Sequence, residues 1–223
     1  MSLNNFLRKN CHDVYNSFLV RTADYKGFYD YPVINPTHCV PNRIIPFSKA
    51  LSSNEFDQWI HFYEDDYLFE KLWNNPKRYL KKLSMFNGVI LPDFSLYRDM
   101  PFSMQLWNIY RSRAIGCWLQ QNNITVIPNI RYGDKRTYDL CCDGLSQGGV
   151  IAIGTHGTVK NKRDRMILIE GLPVVINRLK PESLVIYGTA PGEVFDDYKR
   201  QGIRIINFES EFSKAMNSRK EMI

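Results

Sequence analysis

Polar side chains able to do chemistry follow several short apolar runs of the chain. In GVILPDFSLYRDMP, Asp93 and Ser95 come directly after Gly-Val-Ile-Leu. A carboxylate and a histidine can exchange protons with a ligand near neutral pH. We therefore predict catalytic roles for Asp93 and for His156, which lies between two glycines in GTHGT. The predicted ligand-binding side chains at such positions are Ser95, Asn129, Arg131, Thr155, Tyr187 and Glu193.

A glycine-rich, basic stretch, GTHGTVKNKRDR, occupies residues 154–165. Glycines let the backbone approach a phosphate, and Lys160, Lys162 and Arg163 add positive charge. The stretch lacks the GxxxxGK pattern followed by Ser or Thr, so it is not a P-loop. Two interpretations stay open for it, a contact with phosphate or nucleic acid and a solvated basic turn.

Three carboxylates, Asp65, Asp66 and Asp143, are predicted as ligands of a divalent cation. Magnesium needs only one or two carboxylates beside water and phosphate oxygens. Their spacing matches no metal signature, and capping of the next helix is the alternative role for Asp65 and Asp66. Capping is also the alternative for Ser and Thr after a strand, and Glu193 would favour a helix N-terminus through the helix dipole.

The elements that position these residues alternate between strand and helix patterns from residue 44 onward. The candidate strands are residues 44–47, 60–63, 89–91, 125–128, 150–154, 184–187 and 203–207. Continuously apolar runs such as VIAI are typical of parallel strands covered on both faces. Because the carboxyl ends of parallel strands share one face, we expect the polar residues after the runs to lie together there.

This alternation predicts an α/β fold with a mostly parallel sheet and intervening helices. Both an irregular (β/α) barrel-like arrangement and an open doubly wound sheet fit the pattern. No Gly-rich loop follows the first strand, which argues against a dinucleotide-binding Rossmann sheet. We favour the barrel-like arrangement.

Helices are predicted at residues 67–83, 102–121, 164–179 and 194–201, and Pro76 should kink or split the first of them. On the second helix, Arg111 and Arg113 are expected to reach back toward Asp93 or Asp99. Residues 1–43 predict a short helix at 4–19 and then an extended wrapping segment. The predicted division of the chain is thus an arm at 1–43, one α/β domain at 44–210 and a tail at 211–223.

Composition limits the class of protein. Hydrophobic residues make up 44% of the 223 residues, enough for a core. No apolar run is long enough to cross a bilayer, no signal peptide is apparent, and the five cysteines are odd in number, so we expect reduced thiols in a cytoplasm. The net charge of +6 is spread along the chain and is compatible with a nucleic-acid partner.

The strings PDFSLY and WNIYRSR, with DGLSQGGVIAIGTHGT and LVIYG after them, carry a family resemblance. Over about residues 40–208 the chain resembles a family of bacterial and phage proteins classified as a domain of unknown function. The resemblance implies a bacterial, phage or mobile-element origin and a cytoplasmic location, and it implies no activity.

The functional prediction is that the chain binds or processes a phosphate-bearing ligand, a nucleotide or a nucleic acid, at the carboxyl-end face of its sheet. Whether it is an enzyme stays open. The alternative is a non-catalytic factor that binds DNA or a host protein through its basic surface and the exposed aromatics of residues 25–31. We expect no membrane association, and the oligomeric state is open.

Overall fold

A computed structural model describes residues 13–155, 161–211 and 213. The strands are β1 Tyr25–Lys26, β2 Tyr31–Pro32, β3 Ile44–Pro46, β4 Trp59–His61, β5 Gly88–Ile90, β6 Val126–Ile127, β7 Asn129–Ile130, β8 Val150–Gly154, β9 Ser183–Tyr187 and β10 Arg204–Phe208. The helices are α1 Phe47–Ala50, α2 Asp66–Asn74, α3 Pro76–Leu83, α4 Phe102–Gln121, α5 Lys162–Leu179 and α6 Gly192–Arg200. Single 3-10 turns occur at Ser17–Val20 and Leu140–Cys142.

Two four-stranded parallel sheets follow one another along the chain, which confirms the α/β class. The first has the order β3-β4-β5-β6 and the second the order β10-β9-β8-β7. Together they place the strands side by side in the order of the chain, without the reversal of strand order that defines a doubly wound sheet. A separate antiparallel hairpin, β1-β2, lies in the N-terminal arm.

The two sheets meet in a single extended segment, residues 126–130. Its first half pairs with β5, and the Ile127 carbonyl accepts a hydrogen bond from the Leu91 N–H at 2.9 Å. Its second half pairs with β8, and the Pro128 carbonyl accepts from the Ala152 N–H at 2.8 Å. Pro128, which has no N–H to donate, thus lies where pairing changes from one neighbour to the other.

The two faces of the sheets bury different clusters, because strand side chains alternate in direction. Val89 and Leu91 belong to the large core shared with α2 to α6, whereas Ile90 belongs to a smaller cluster of strand residues. The buried members of this inner cluster are Trp59, Ile90, Ile127, Val150, Ala152 and Val185, with Ile44 and Phe208 packed against them. The helices therefore cover one face, and the strands curl so that the other face packs on itself.

The curled arrangement is barrel-like but is not a closed barrel. Within residues 13–155 and 161–211, β10 and β3 form no ladder with each other. Side-chain contacts connect the segments that follow these two edge strands. One of them is the ion pair of Lys49, in α1 after β3, with Glu211, after β10. The sheet is open at this edge.

The helix predictions hold closely. Pro76 splits the predicted helix into α2 and α3 and occupies the first position of α3, where no N–H is required. The bounds of α4 are the predicted ones, and α5 and α6 begin two residues earlier than predicted. In the described part of the chain no helix is long and apolar enough to cross a membrane.

The N-terminal arm differs from its prediction. Residues 4–12 lie outside the described residues, and 13–19 contain no α-helix, because Asn16 has a left-handed φ of 53° before the 3-10 turn. Leu19, Val20 and Ile34 are buried in the large core, and Ile34 bridges to Leu145. The arm therefore packs against the α/β domain, and the division at residues 43 and 210 stays a prediction.

Candidate functional site

Asp93 lies just beyond the end of β5, at the carboxyl-end face of the sheets. Pro92 offers no N–H, and its carbonyl accepts a hydrogen bond from the Ser112 hydroxyl at 3.0 Å. Phe94 turns inward and is fully buried, while Asp93 keeps 9% of its surface exposed. The backbone after β5 thus leaves a carboxylate at the edge of the core.

Asn129 and Arg131 bind this carboxylate. The Asn129 amide donates to Oδ1 of Asp93 at 2.7 Å, and Nη1 of Arg131 donates to Oδ2 at 2.5 Å. Both partners come from the end of β7, where residues two apart point to the same side. The structure therefore brings together three side chains that the sequence predicted on one face.

Burial and the charge of Arg131 shift the pKa of the Asp93 carboxyl in opposite directions. Burial raises the pKa of the Asp93 carboxyl, while Arg131 and Asn129 limit the rise. Burial also disfavours the charged form of Arg131, but the charges of Asp93 and Asp66 and the hydrogen bond to Asp93 together raise the pKa of the guanidinium. Arg131 thus stays a cation at any ordinary pH and neutralises Asp93.

An aromatic stack continues the group across the mouth of the curled sheet. Tyr63 lies nearly parallel to Tyr187, with ring centroids 4.7 Å apart, and His61 packs on Tyr187 at 4.7 Å. The Tyr63 hydroxyl donates to Oδ1 of Asn129 at 2.9 Å, which fixes the orientation of the amide toward Asp93. Tyr187 was predicted at this face, whereas Tyr63 and His61 were missed.

Gly154 and Thr155, at the end of β8, have structural contacts. A Cβ on Gly154 would lie 2.9 Å from Cε1 of Tyr63. The Tyr63 ring can occupy its position because residue 154 is a glycine. The Thr155 hydroxyl donates to the Thr189 carbonyl at 2.7 Å and joins the loops after β8 and β9. His156 and Lys160 lie outside the described residues.

Two cavities open on this face, and they share a boundary. The smaller, about 400 Å³, lies between the loop after β5 and α5. The larger, about 860 Å³, lies between α2, the same loop and α4. Asp93, Tyr97, Arg131 and Gly154 line both, so the Asp93–Arg131 pair sits at their junction. Each volume is in the range typical of small-molecule sites.

The predicted metal ligands are not brought together. Asp66 accepts hydrogen bonds from the Ser95 amide and hydroxyl, and Asp65 precedes α2 on the wall of the larger cavity. Asp143 instead pairs with Arg178 at 2.6 Å. The described residues hold no group of three or more His, Cys, Asp or Glu side chains suited to a metal ion. The divalent cation predicted at Asp65, Asp66 and Asp143 stays a prediction.

The basic stretch is described from residue 161 onward. Asn161 caps α5, its side chain accepting from the Arg163 and Asp164 amides. Lys162 and Arg163 are exposed in the first turn of α5, and Glu193 forms an ion pair with Arg165. Two amides at this helix start are thus satisfied within the protein.

Arg111 and Arg113 do not reach Asp93 or Asp99, contrary to expectation. Arg111 pairs with Glu70 at 2.6 Å and stacks on Phe94, with its guanidinium carbon 3.8 Å from the ring centroid. Arg113 is fully buried and donates to backbone carbonyls beside the Leu140–Cys142 turn. Sequence spacing gives the helix face but not the direction of a long side chain.

Fold and site define an α/β protein with an open, curled parallel sheet and a two-part cleft at its carboxyl ends. The chain belongs to the family described as domain of unknown function DUF4417, whose sequence profile matches residues 23–209. It is 35% identical over 180 residues to the Gene 1 protein of Mycobacterium phage L5, covering 79% of this chain and 77% of that protein. Over 183 residues it is 34% identical to the Gene 1 protein of Mycobacterium phage D29, covering 79% and 66%. No solved structure matches the chain.

Proposed function

We propose that the protein binds a phosphate-bearing small ligand, a nucleotide, in the smaller cavity, with the phosphate next to Arg131. The observation that carries this proposal is the position of Arg131. Its guanidinium is fixed by Asp93 at the junction of two ligand-sized cavities, on the face where parallel α/β folds bind ligands. An arginine held in this way keeps N–H donors for an anionic oxygen, because one guanidinium carries five.

The lining of the smaller cavity suits the rest of a nucleotide. Ile130, Tyr132, Ile153, Ile167 and Leu168 provide apolar surface on which a base can be buried. Charged side chains stand at its rim, where Arg98 is paired with Asp164 at 2.5 Å. A phosphate could take the place of Asp164 as the partner of Arg98.

The basic first turn of α5 adds long-range attraction. Lys162 and Arg163 are exposed on the helix whose later residues line the cavity. Because Asn161 already binds two amides of this turn, we assign the attraction to the side-chain charges and not to the helix end. Nucleic acid, the other ligand class predicted from the sequence, would use the same charges.

In this proposal Asp93 positions Arg131. Both of its carboxylate oxygens accept hydrogen bonds from protein donors, so the holding of the guanidinium is the role that its contacts support. The catalytic roles predicted for Asp93 and His156 stay predictions. Reaction of a bound nucleotide, followed by product analysis, would test them.

Binding is tested by calorimetric titration with ATP, GTP, CMP and inorganic phosphate, and with a short single-stranded DNA. We expect saturable binding of at least one nucleotide, weakened about tenfold or more by Arg131→Gln or Arg98→Gln, because each removes a charge-assisted hydrogen bond. Arg204→Gln is the matched control, because this arginine is exposed at the start of β10 and lines neither cavity, and the variant should bind normally. Absence of binding by every nucleotide, or unchanged binding by both variants, would refute the proposal, and preference for DNA would move it to nucleic acid.

A further inference from the structure

We propose that the larger cavity is a docking site for a partner protein, and that it receives a peptide segment with a lysine or arginine side chain flanked by apolar residues. This inference goes beyond nucleotide binding, because it concerns the other cavity and another class of ligand. Two features of the larger cavity support it, the apolar rim and the negative charge of the wall.

Four large, exposed apolar side chains stand at the rim of the larger cavity. Tyr67 of α2 is 75% exposed, Tyr97 of the loop after β5 is 55% exposed, and Met104 and Trp107 of α4 are 50% and 40% exposed. All four line the same cavity. Large apolar side chains grouped around a concavity are typical of protein-binding sites, and aromatic rings and methionine are favoured there.

The wall between these side chains is acidic. Glu64, Asp65 and Asp66 line it, whereas the two arginines of the lining are already paired, Arg131 with Asp93 and Arg111 with Glu70. The chain as a whole carries a net charge of +6, so this local excess of carboxylates contrasts with the rest of the protein. Carboxylates beside aromatic faces attract a cation and repel the phosphates of nucleic acid.

Arg111 is held in the wall of the larger cavity and leaves the acidic character of that wall in place. The residue is 8% exposed and lines the cavity, and its Nε has no hydrogen-bond partner among the described residues. Its Nη1 and Nη2 are occupied by Glu70 and Asn108. Because Nε is itself buried from solvent, a bound segment does not reach it, and Arg111 offers the cavity no unpaired positive charge.

These features fit one occupant. At about 860 Å³ the cavity exceeds the size of one side chain and admits a short peptide. A peptide with a basic residue between apolar ones offers both the cation and the apolar contacts. A nucleic acid offers aromatic bases but brings phosphates to an acidic wall.

The test uses a fluorescein-labelled pentapeptide of alternating leucine and arginine, and a matched peptide in which glutamate replaces arginine. Fluorescence anisotropy should show saturable binding of the arginine peptide, weakened by salt, and none of the glutamate peptide. Asp65→Lys and Tyr67→Ala should each weaken it about fivefold or more, because each removes one exposed cation contact. Asp197→Lys on α6 and Phe28→Ala in the hairpin, both exposed and outside the cavity lining, are the matched controls.

Equal binding of the two peptides, or unchanged affinity in both Asp65→Lys and Tyr67→Ala, would overturn the proposal. So would the lack of any saturable binding, or binding of a short single-stranded DNA in competition with the arginine peptide. Arg98→Gln separates this proposal from the preceding one. It should weaken nucleotide binding and leave peptide affinity unchanged, because Arg98 lines only the smaller cavity.

Discussion

Replacement of Arg131 by methionine is the sharpest test of the electrostatics at the junction. The substitution keeps much of the apolar stem but removes the cation that neutralises Asp93. Asp93 would retain the Asn129 amide as a donor, in a position where its side chain is 10% exposed. The buried Asp93 carboxylate would thus lose the cation with which it is paired.

The magnitude follows from the burial of the two groups. Removing one partner of a buried ion pair costs about 3–5 kcal/mol in the free energy of unfolding. The Arg131 side chain is 33% exposed, so solvent already screens part of the interaction. We therefore expect a loss at the lower end, about 3 kcal/mol at a pH near 8.

The loss should depend on pH in a definite direction. Without Arg131, burial raises the pKa of Asp93 further above its value in the unfolded chain. The folded protein then binds this proton more tightly than the unfolded one, so the stability of the variant rises as the pH falls toward about 4. The difference from the wild type should shrink over the same interval.

Urea unfolding of a double-mutant cycle measures both effects. The cycle comprises the wild type, Asp93→Asn, Arg131→Met and the double variant, each at a pH near 8 and at one near 4.5. We expect a coupling energy of about 2 kcal/mol at the higher pH and less at the lower one. A loss below about 0.5 kcal/mol in Arg131→Met, equal at both pH values, would show that the pair is not electrostatically important.

Three further predictions concern the surroundings of the site. Gly154→Ala should destabilise the fold by about 1–3 kcal/mol and disturb the stack of Tyr63 on Tyr187, because the new Cβ meets the Tyr63 ring. Thermal unfolding measures the loss of stability and near-UV circular dichroism the change in the stack, and an unchanged spectrum would contradict the prediction. Phe94→Ala should cost about 3–5 kcal/mol in urea unfolding, since the ring is fully buried, and a loss typical of surface sites would refute that packing. Iodoacetamide should label Cys39 in the native protein and Cys141 only after unfolding, because Cys39 is exposed while burial raises the pKa of the Cys141 thiol. Mass spectrometry locates the label, and labelling of Cys141 in the native protein would contradict the prediction.

Local patterns predicted much of the fold. The split at Pro76, the bounds of α4 and most strands follow from proline chemistry and apolar periodicity, which act over a few residues. One strand was predicted at residues 125–128, whereas the extended segment continues to residue 130 and its pairing partner changes at Pro128, between β6 and β7. Which neighbour a strand pairs with depends on distant residues, and periodicity carries no information about it.

The candidate site was predicted in part for the same reason. Asp93, Asn129 and Arg131 follow apolar runs, so a parallel sheet necessarily places them on one face. His61 ends β4 and Tyr63 follows it, in the string IHFY. Aromatic residues at a strand end are usual in a core, and the contact with Tyr187 comes from across the curled sheet. The curvature that joins them is a property of all the strands together.

The division of pairing at Pro128 gives the site a second consequence. Asp93 and Tyr63 belong to the half of the sheet before this proline, while Arg131 and Tyr187 belong to the half after it. The ion pair and the aromatic stack therefore join the two halves at the carboxyl-end face, in addition to the inner cluster and the shared backbone segment. A ligand bound at the junction would stabilise both contacts. Amide hydrogen exchange should then slow in β4 and β9 together when the ligand binds.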